Sequence, residues 1–451
     1  MSKAIFYCLC FIIIYAPIPL GANRLWAQST IELAIMATFL LHLISVFSGR
    51  STLLPPRYAR FVVGALGITS AYLLIQTVPG LGSFIGRTAL ASGLSTISLD
   101  PSLTQVMLLK TLSFTLFAWL LFQYVDSSKR LTQLALTVIG SALFQAIYGI
   151  WLSLNKGMLS PLFHMPWQER AVGTFIYTNQ LGAYVAMALA IGIGLLVSQL
   201  AKGEAATQWR QRVLDLGDLL LSNKILLRIG LIIMFVGLIL TRSRGANSSF
   251  LIALAVMSVL ALFLYKNPPR NLRILILSFF ILDMFLIGSI FGVEKVKQRL
   301  VETTLQTETR DNVAIDSIPM IADYPILGIG GGAYYSTFEA YQPANYGAFY
   351  DHAHNDYLEF AIELGVPVTL MLGLMILYSL FLAIRTLSQR KTALYQGIAF
   401  GCSVAILHML LHSSVDFSLQ SPAVALLFIT ILCMAHLAHH LPSPRKSRSR
   451  L

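Results

Sequence analysis

The sequence is poor in charged residues. Only 12% of its 451 residues are Asp, Glu, Lys or Arg, whereas soluble domains carry about 25%. Together with a hydrophobic content of 56%, this scarcity excludes a soluble protein and indicates an integral membrane protein. The alternating segments of about ten residues that form outer-membrane barrels are also missing, so we expect membrane-spanning helices.

Patterns for metal or nucleotide binding are scarce as well. The four cysteines, Cys8, Cys10, Cys402 and Cys433, lie in apolar segments without the spacing of metal ligands. The glycine run at residues 328–332 lacks the Lys-Ser/Thr pair of a phosphate-binding loop and predicts a tight turn instead. Basic residues number 32 against 20 acidic ones, a net charge of +12. We attribute this excess to cytoplasmic loops, not to nucleic-acid binding.

The apolar runs predict an all-α fold with twelve membrane-spanning helices. Runs of roughly 16–25 residues are long enough to cross a bilayer. They fall at about residues 4–21, 30–48, 61–79, 103–123, 131–154, 176–199, 225–241, 247–265, 273–292, 357–384, 393–412 and 421–440. The N-terminal run also has features of a signal peptide, but it lacks a convincing cleavage site and is kept as the first span.

Basic residues alternate from loop to loop and set the predicted orientation. With the N-terminus in the cytoplasm, most Lys and Arg residues fall in cytoplasmic loops or the C-terminal tail. The chain then divides into helices one to nine (residues 1–292), one large periplasmic loop (293–356), helices ten to twelve (357–440) and a basic cytoplasmic tail (441–451). Within the loop, residues 293–310 are amphipathic and predicted to lie on the membrane surface, and residues 311–323 are predicted to be helical.

A polar, His-rich stretch, residues 351–357, lies where this loop meets the tenth helix. A histidine with a pKa of about 6.5 can accept a proton from a hydroxyl at physiological pH. His354 is our candidate base and His352 a supporting group, while Asn355 or Asp356 is predicted to cap the helix. Alternatively, the two histidines and their neighbouring carboxylates hold a divalent metal. No other His or Cys is placed to complete the ligand set, and we predict a site without metal.

Arginines collect on the same predicted outer face. Arg170, Arg242, Arg244 and Arg310 lie there together with Asp416, although the charge bias places most basic residues inside. One interpretation is that each arginine caps a helix or contacts a lipid headgroup. The other follows from chemistry, because guanidinium groups bind phosphate oxygens through paired hydrogen bonds. The set then predicts an anion site that stabilises the charge on a leaving diphosphate.

Four segments resemble one family. His354-Asn355, followed after nine residues by Gly365, resembles the H-[NSQ]-x9-G signature of the O-antigen ligase and polymerase superfamily of bacterial membrane glycosyltransferases. Three further motifs of that family, R-x-x-G-T-F…N, S-R-G and R…P-x-L-G-x-G, are similar to residues 170–179, residues 243–245, and Arg310 with residues 325–330. The resemblance covers roughly residues 165–425, with the motifs in the family's order.

The resemblance implies a fold like that of C-type glycosyltransferases and an inverting transfer without cofactor or metal. The implied donor is an undecaprenyl-diphosphate-linked glycan. The implied acceptor is lipid A core, another lipid-linked glycan or a protein hydroxyl, at the periplasmic face of the bacterial inner membrane. His354 would activate the acceptor hydroxyl. The donor diphosphate would contact Arg244 and Arg310, with Arg242 and Arg170 as further candidates, and the supporting residues would be His352, Asn355, Asp356 and Asp416.

Two other function classes remain open. Twelve spans with both ends inside also suit a transporter of a lipid-linked or anionic substrate, with Lys110, Asp283 and His408 as candidate residues within the spans. However, the sequence shows no half-to-half repeat of the kind found in many transporters. Substrate uptake that survives loss of His354 but not of Asp283 would favour transport. A metal-dependent hydrolase of lipid diphosphates would be inhibited by chelators, whereas the glycosyltransferase would not.

Overall fold

The structure is a computed structural model, and it describes residues 1–82, 95–155, 157–164, 169–200, 223–264, 304–343 and 350–443. Within these ranges every regular element is a helix. We number the thirteen α-helices in chain order: α1 Ser2–Tyr15, α2 Leu25–Phe47, α3 Arg60–Gln76, α4 Pro101–Tyr124, α5 Ser128–Leu154, α6 Thr178–Leu200, α7 Asn223–Leu240, α8 Arg244–Leu264, α9 Thr304–Asp323, α10 Tyr334–Thr337, α11 Asp356–Gln389, α12 Ala393–His412 and α13 Pro422–His440.

Nine of the described helices are long and apolar enough to cross a membrane, and α1 and α7 are shorter apolar helices. The all-helical, polytopic membrane architecture predicted from the sequence is therefore confirmed. Eleven of the twelve predicted spans correspond to α1–α8 and α11–α13. The predicted span at 273–292, Asp283 within it and the surface segment at 293–303 lie outside the described residues, as does the tail from residue 444.

Two predicted boundaries differ from the structure for local reasons. The first helix was predicted to reach residue 21, but α1 ends at Tyr15. Pro17 and Pro19 follow, and proline cannot donate the backbone hydrogen bond that a continuing helix needs. In the long loop, the predicted helix at 311–323 is confirmed as the second half of α9, which begins earlier, at Thr304.

The centre of the bundle is formed by α6, α12 and α13, whose side chains are mostly buried. Helices α6 and α12 approach each other through glycines. A Cβ atom added to Gly194 would lie 2.2 Å from the carbonyl oxygen of Gly397, so only glycine permits this contact. Small residues at such contacts let the backbones of membrane helices pack closely. This rigid centre supports the helix ends that form the candidate site.

One end of the bundle, which we call the site end, gathers the N-termini of α6, α8, α11 and α13. Asn23, just before α2, donates to Gln180 near the start of α6 at 2.6 Å. Asn355, just before α11, donates to the carbonyl of Ser414 in the loop between α12 and α13 at 3.1 Å. At the opposite end, called the far end, Arg130 near the start of α5 donates to Ser2 at 2.9 Å. Helix N-termini carry unpaired N–H groups and a partial positive charge, so these four termini favour anions, although the C-termini of α7 and α12 lie at the same end.

Candidate active site

The loop that enters α11 is fixed by the residue next to the candidate base. His354 has a backbone φ of +52°, which is unusual for a residue other than glycine. Asn355 follows as the helix cap and accepts hydrogen bonds from the N–H groups of Tyr357 at 3.0 Å and Leu358 at 3.2 Å. The predicted cap is therefore Asn355. Asp356, the alternative candidate, lies inside the first turn.

Phe417 positions both histidines. The edge of the His354 ring meets Phe417 at 5.0 Å between centroids and 75° between planes, and the His352 ring stacks on Phe417 at 4.3 Å and 17°. The Tyr350 ring adds a second edge contact to His354 at 6.2 Å. The half-buried imidazole of His354 is therefore held by aromatic rings at the site end.

His352 is committed to an ion pair. Its Nδ1 lies 2.7 Å from Oε1 of the buried Glu359, whose other oxygen accepts the N–H of Ala353 at 3.1 Å. Burial lowers the pKa of His352, but the carboxylates of Glu359, Asp351 and Glu363 outweigh it and raise this pKa to about 9. His352 is therefore a cation at neutral pH and a poor proton acceptor. Of the two histidines, His354 is the one that this geometry leaves for base chemistry.

The two supporting aspartates anchor the loop between α12 and α13. The buried carboxylate of Asp356 accepts from the hydroxyl of Ser413 at 2.9 Å and from the N–H of Leu419 at 3.2 Å. Asp416 accepts from the N–H of Phe417 at 2.8 Å and receives a short hydrogen bond from the side chain of Asn179 in α6. Both aspartates thus hold Phe417 in place, and with it the orientation of His354.

Gly365 breaks α11 and receives the segment at residues 325–330. Its φ of +75° and ψ of 158° are open only to glycine. The N–H of Val366 donates to the carbonyl of Pro325 at 2.9 Å, and the N–H of Ile329 donates to the carbonyl of Ile362 at 2.9 Å. A Cβ atom on Gly365 would lie 2.1 Å from the carbonyl oxygen of Ile326. The glycine run of the loop therefore contains turns, as predicted, and also docks by its backbone against α11.

This docking gives the H-N-x9-G spacing a physical reason. The helical segment from Asp356 to Leu364 separates the capped entry of α11 from its break at Gly365. On the other partner, a Cβ atom at Gly328 would lie 2.4 Å from the carbonyl oxygen of Glu363. The motif at residues 354–365 and the motif at residues 325–330 thus form the two sides of one backbone contact. This contact fixes the first helical segment of α11, which carries Glu359 and Glu363.

Three of the four candidate arginines meet at the site end. The N–H of Ala171 donates to the carbonyl of Leu240 at 2.9 Å, which brings Arg170 beside the turn that contains Arg242 and Arg244. All three side chains are exposed, and none makes a hydrogen bond or ion pair with a residue of the described ranges.

The turn of these arginines lies against the loop that carries Phe417. A Cβ atom on Gly245 would come within 3.1 Å of the His412 ring and of Val415. Arg242 and Arg244 are therefore linked through this loop to His354. Arg310, the fourth candidate, belongs to α9, which packs against α11, but its side chain lies outside the described part of the structure.

The structure adds a group of charged residues that the motifs did not indicate. A cavity of about 270 Å³ lies beside His352 and is also lined by Lys110, Glu359 and Glu363. Asp356, Glu359 and Glu363 are spaced i, i+3 and i+7, which places carboxylates on one helix face, and this spacing was the available sequence signal. Within the described residues, no three His, Cys, Asp or Glu side chains are arranged to hold a metal ion.

Comparison with known proteins bears on the segment that forms this site. Residues 229–373 match the family model described as O-antigen ligase. The match covers less than half of the chain but includes the turn with Arg244, the docking segment, His354 and Gly365. No curated protein matches the chain. The resemblance to the O-antigen ligase superfamily is thus confirmed through this domain, in a multi-pass membrane protein.

Proposed function

We propose that this protein is an inverting, metal-independent glycosyltransferase of the O-antigen ligase and polymerase type. It moves a glycan from undecaprenyl diphosphate to an acceptor hydroxyl at the periplasmic face of the bacterial inner membrane. The observation that carries the proposal is the placement at one end of the bundle of a half-buried histidine and three exposed arginines that have no partner among the described residues. The match of residues 229–373 to the O-antigen ligase family supports the same reaction type.

His354 acts as the general base. Its neutral imidazole takes the proton of the acceptor hydroxyl while that oxygen attacks the anomeric carbon of the donor sugar. The bond between this carbon and the diphosphate oxygen breaks as the new bond forms on the opposite face of the ring, so the configuration inverts. The contacts with Phe417 and Tyr350 orient the imidazole before the substrate arrives.

The arginines bind the diphosphate and stabilise the negative charge that it gains on leaving. Arg244 and Arg242 stand at the turn between α7 and α8, with Arg170 beside them. Guanidinium groups keep their charge at any physiological pH and bind phosphate oxygens through two parallel hydrogen bonds. Their side chains are exposed and have no partner among the described residues, so binding a donor disrupts no ion pair there. We assign Arg310 to the same pocket through its motif in the loop before the docking segment.

The acceptor is lipid A core for a ligase or a second lipid-linked glycan for a polymerase. A protein hydroxyl is the third chemical option. All three present a hydroxyl to the same base, so the site chemistry is shared and the acceptor is decided by contacts elsewhere on the outer face.

The proposal is tested by replacing His354 with glutamine in cells that depend on this protein for surface polysaccharide. The matched control is His440→Gln, since His440 is exposed at the far end. At equal membrane abundance, we expect the polysaccharide ladder to vanish for His354→Gln and to persist for His440→Gln. Full-length chains held on the lipid carrier would then identify a ligase, and single repeats a polymerase. An unchanged ladder in His354→Gln would refute the proposed function.

A further inference from the structure

The cavity beside His352 has an electrically balanced lining. Its charged side chains come from α4, α11, the residue before α2 and the loop before α11, so the site exists only in the folded bundle. Three can be cations and three can be anions: Arg24, Lys110 and His352 against Asp351, Glu359 and Glu363. With every group ionised, the lining has no net charge. It therefore fits an occupant without net charge better than a phosphate or a carboxylate.

Polar groups around this cavity lack partners in the described protein. Glu363 is 2% exposed, and one of its oxygens accepts the N–H of Tyr334 at 3.3 Å, while the other is buried without a donor. The side-chain nitrogen of Gln420 is also buried without an acceptor. Lys110 makes no hydrogen bond or ion pair with any residue that the structure describes. Unsatisfied buried polar groups are costly, so a ligand that supplies both donors and acceptors is stabilising here.

Hydroxyl groups match this requirement. Each hydroxyl donates one hydrogen bond and accepts others. A pair of neighbouring hydroxyls can donate to Glu363 and accept from Lys110 or Gln420. The rim adds two tyrosine rings, Tyr177 and Tyr335, which are 39% and 54% exposed. Aromatic faces carry partial negative charge and attract the C–H groups on the face of a sugar ring.

The size and position of the cavity restrict the ligand further. A volume of about 270 Å³ lies just below the range of roughly 300–1,000 Å³ that is usual for larger ligands, so one ring fits and a longer glycan extends outside. Tyr177 and His352 both line the cavity and both contact Phe417, at 5.5 Å and 4.3 Å between ring centroids. Phe417 also contacts His354. A sugar in the cavity is thus one aromatic ring away from the candidate base.

We infer that this cavity is a subsite for one uncharged pyranose unit of the acceptor glycan, held by Glu363, Lys110 and Gln420. The assignment of this sugar to the acceptor substrate rests on the proposed function. The binding of the sugar itself is independent of turnover. Glu363, Lys110 and Gln420 are accordingly assigned to substrate positioning, and His354 keeps the proton transfer.

Saturation-transfer NMR on the full-length protein in lipid nanodiscs tests the inference. The probes are the methyl α-glycosides of D-glucose, D-galactose and D-mannose, with methyl α-D-glucuronide as the charged comparison. Val106→Trp fills the cavity, and Leu109→Trp is its control, since Leu109 lies on the same helix, is 45% exposed and does not line the cavity. Glu363→Gln is a second variant that removes the unpartnered acceptor while keeping the side-chain shape.

We expect an uncharged glycoside to bind the wild type and to bind about tenfold more weakly in Val106→Trp and Glu363→Gln. Binding is expected to be unchanged in Leu109→Trp and in His354→Gln. If Val106→Trp does not fold, Glu363→Gln decides the result. The inference is overturned if no uncharged glycoside binds, if the glucuronide binds as well, or if the cavity variants bind like the wild type. Such a result, with transfer lost in His354→Gln, would reject the subsite and leave the proposed function standing.

Discussion

At the far end of the bundle, two arginines, Arg130 and Arg390, hold helix ends together, whereas Arg57, Arg60 and Arg228 are exposed and have no hydrogen-bond or ion-pair partner among the described residues. Arg130 donates to the carbonyl of Tyr124 at 2.8 Å, at the end of α4, and pairs with Asp126 at 3.1 Å. Arg390 donates to the carbonyl of His439 at 3.1 Å, at the end of α13, and its guanidinium lies 4.6 Å from the centre of the Tyr395 ring. Helix C-termini carry unpaired carbonyls and partial negative charge, so cations are stabilising there.

The site end also has arginines, but these have no partners among the described residues. Arg170, Arg242 and Arg244 are exposed and have no hydrogen-bond or ion-pair partner in the described ranges. Arg244 is the first residue of α8, where the helix dipole makes a cation unfavourable. Arg130 and Arg390 therefore have a structural role that the site-end arginines lack. Under the proposed function, the site-end arginines bind an anion that is not part of the chain.

The largest effect is expected from breaking the backbone contact on which the site end is built. Gly365→Ala places a Cβ 2.1 Å from a carbonyl oxygen and imposes side-chain strain at a φ of +75°. We expect loss of folded protein and of transfer, because the docking segment can no longer reach α11. Gly373→Ala in the same helix is the control, since its Cβ meets nothing within 4 Å. The two variants are compared by their yield of monodisperse protein. Equal yields would contradict the assigned contact.

The next effect separates binding from stability at the site end. Arg244→Ala is expected to lower transfer by about 10²–10³-fold, the usual cost of removing a group that stabilises developing charge. The melting temperature should stay unchanged, because the side chain has no partner among the described residues. Arg244→Lys should recover only part of the activity, since an ammonium cannot bind phosphate through two parallel hydrogen bonds. A lower melting temperature with full activity per folded molecule would show that Arg244 has a structural role, like Arg130 and Arg390.

A smaller effect concerns the His352–Glu359 pair and depends on pH. The pKa of His352 is raised from 6.5 to about 9 in the folded protein, so its contribution to stability is complete below pH 6.5 and is lost as the pH rises through about 9. With the side chain 27% exposed, we expect a loss on the order of 2 kcal/mol across this window. Thermal melts of the wild type should show the decline, and those of Glu359→Gln should not. A flat wild-type profile would contradict the ion pair.

The smallest effect is expected at the far end. Arg390→Ala removes hydrogen bonds to carbonyls at the end of α13 and a contact with Tyr395. We expect a loss of about 1 kcal/mol of stability and a correspondingly lower melting temperature. Transfer per folded molecule should remain at the wild-type rate. Reduced transfer in Arg390→Ala at unchanged stability would contradict the purely structural role assigned to Arg390.

Much of the fold could be predicted because membrane spans are local. Their length and hydropathy are set by the bilayer, and eleven predicted spans correspond to described helices. The polar stretch around His354 was also visible, since ionisable residues are rare in this chain. Its cap at Asn355 follows from residue type alone.

What the sequence could not provide depends on contacts between distant residues. Asn179 and Asp416 are hydrogen-bonded across 237 positions, and Gly328 meets Gly365 only after the loop has folded back. In the sequence, a glycine that permits a close backbone contact cannot be distinguished from a glycine that forms a turn. The spacing to Gly365 already favoured His354 over His352, but the pairing of His352 with Glu359 is a contact that only the folded structure shows.

The role of the site-end arginines is tested most directly by measuring the binding of the lipid diphosphate, the leaving group of the proposed reaction, without catalysis. Undecaprenyl diphosphate is titrated against the full-length protein in nanodiscs, with wild type, Arg244→Ala and Arg390→Ala compared at equal folded concentration. We expect Arg244→Ala to weaken binding by about tenfold or more and Arg390→Ala to bind like the wild type. Equal affinity in Arg244→Ala and the wild type would contradict the assignment of the site-end arginines to the diphosphate.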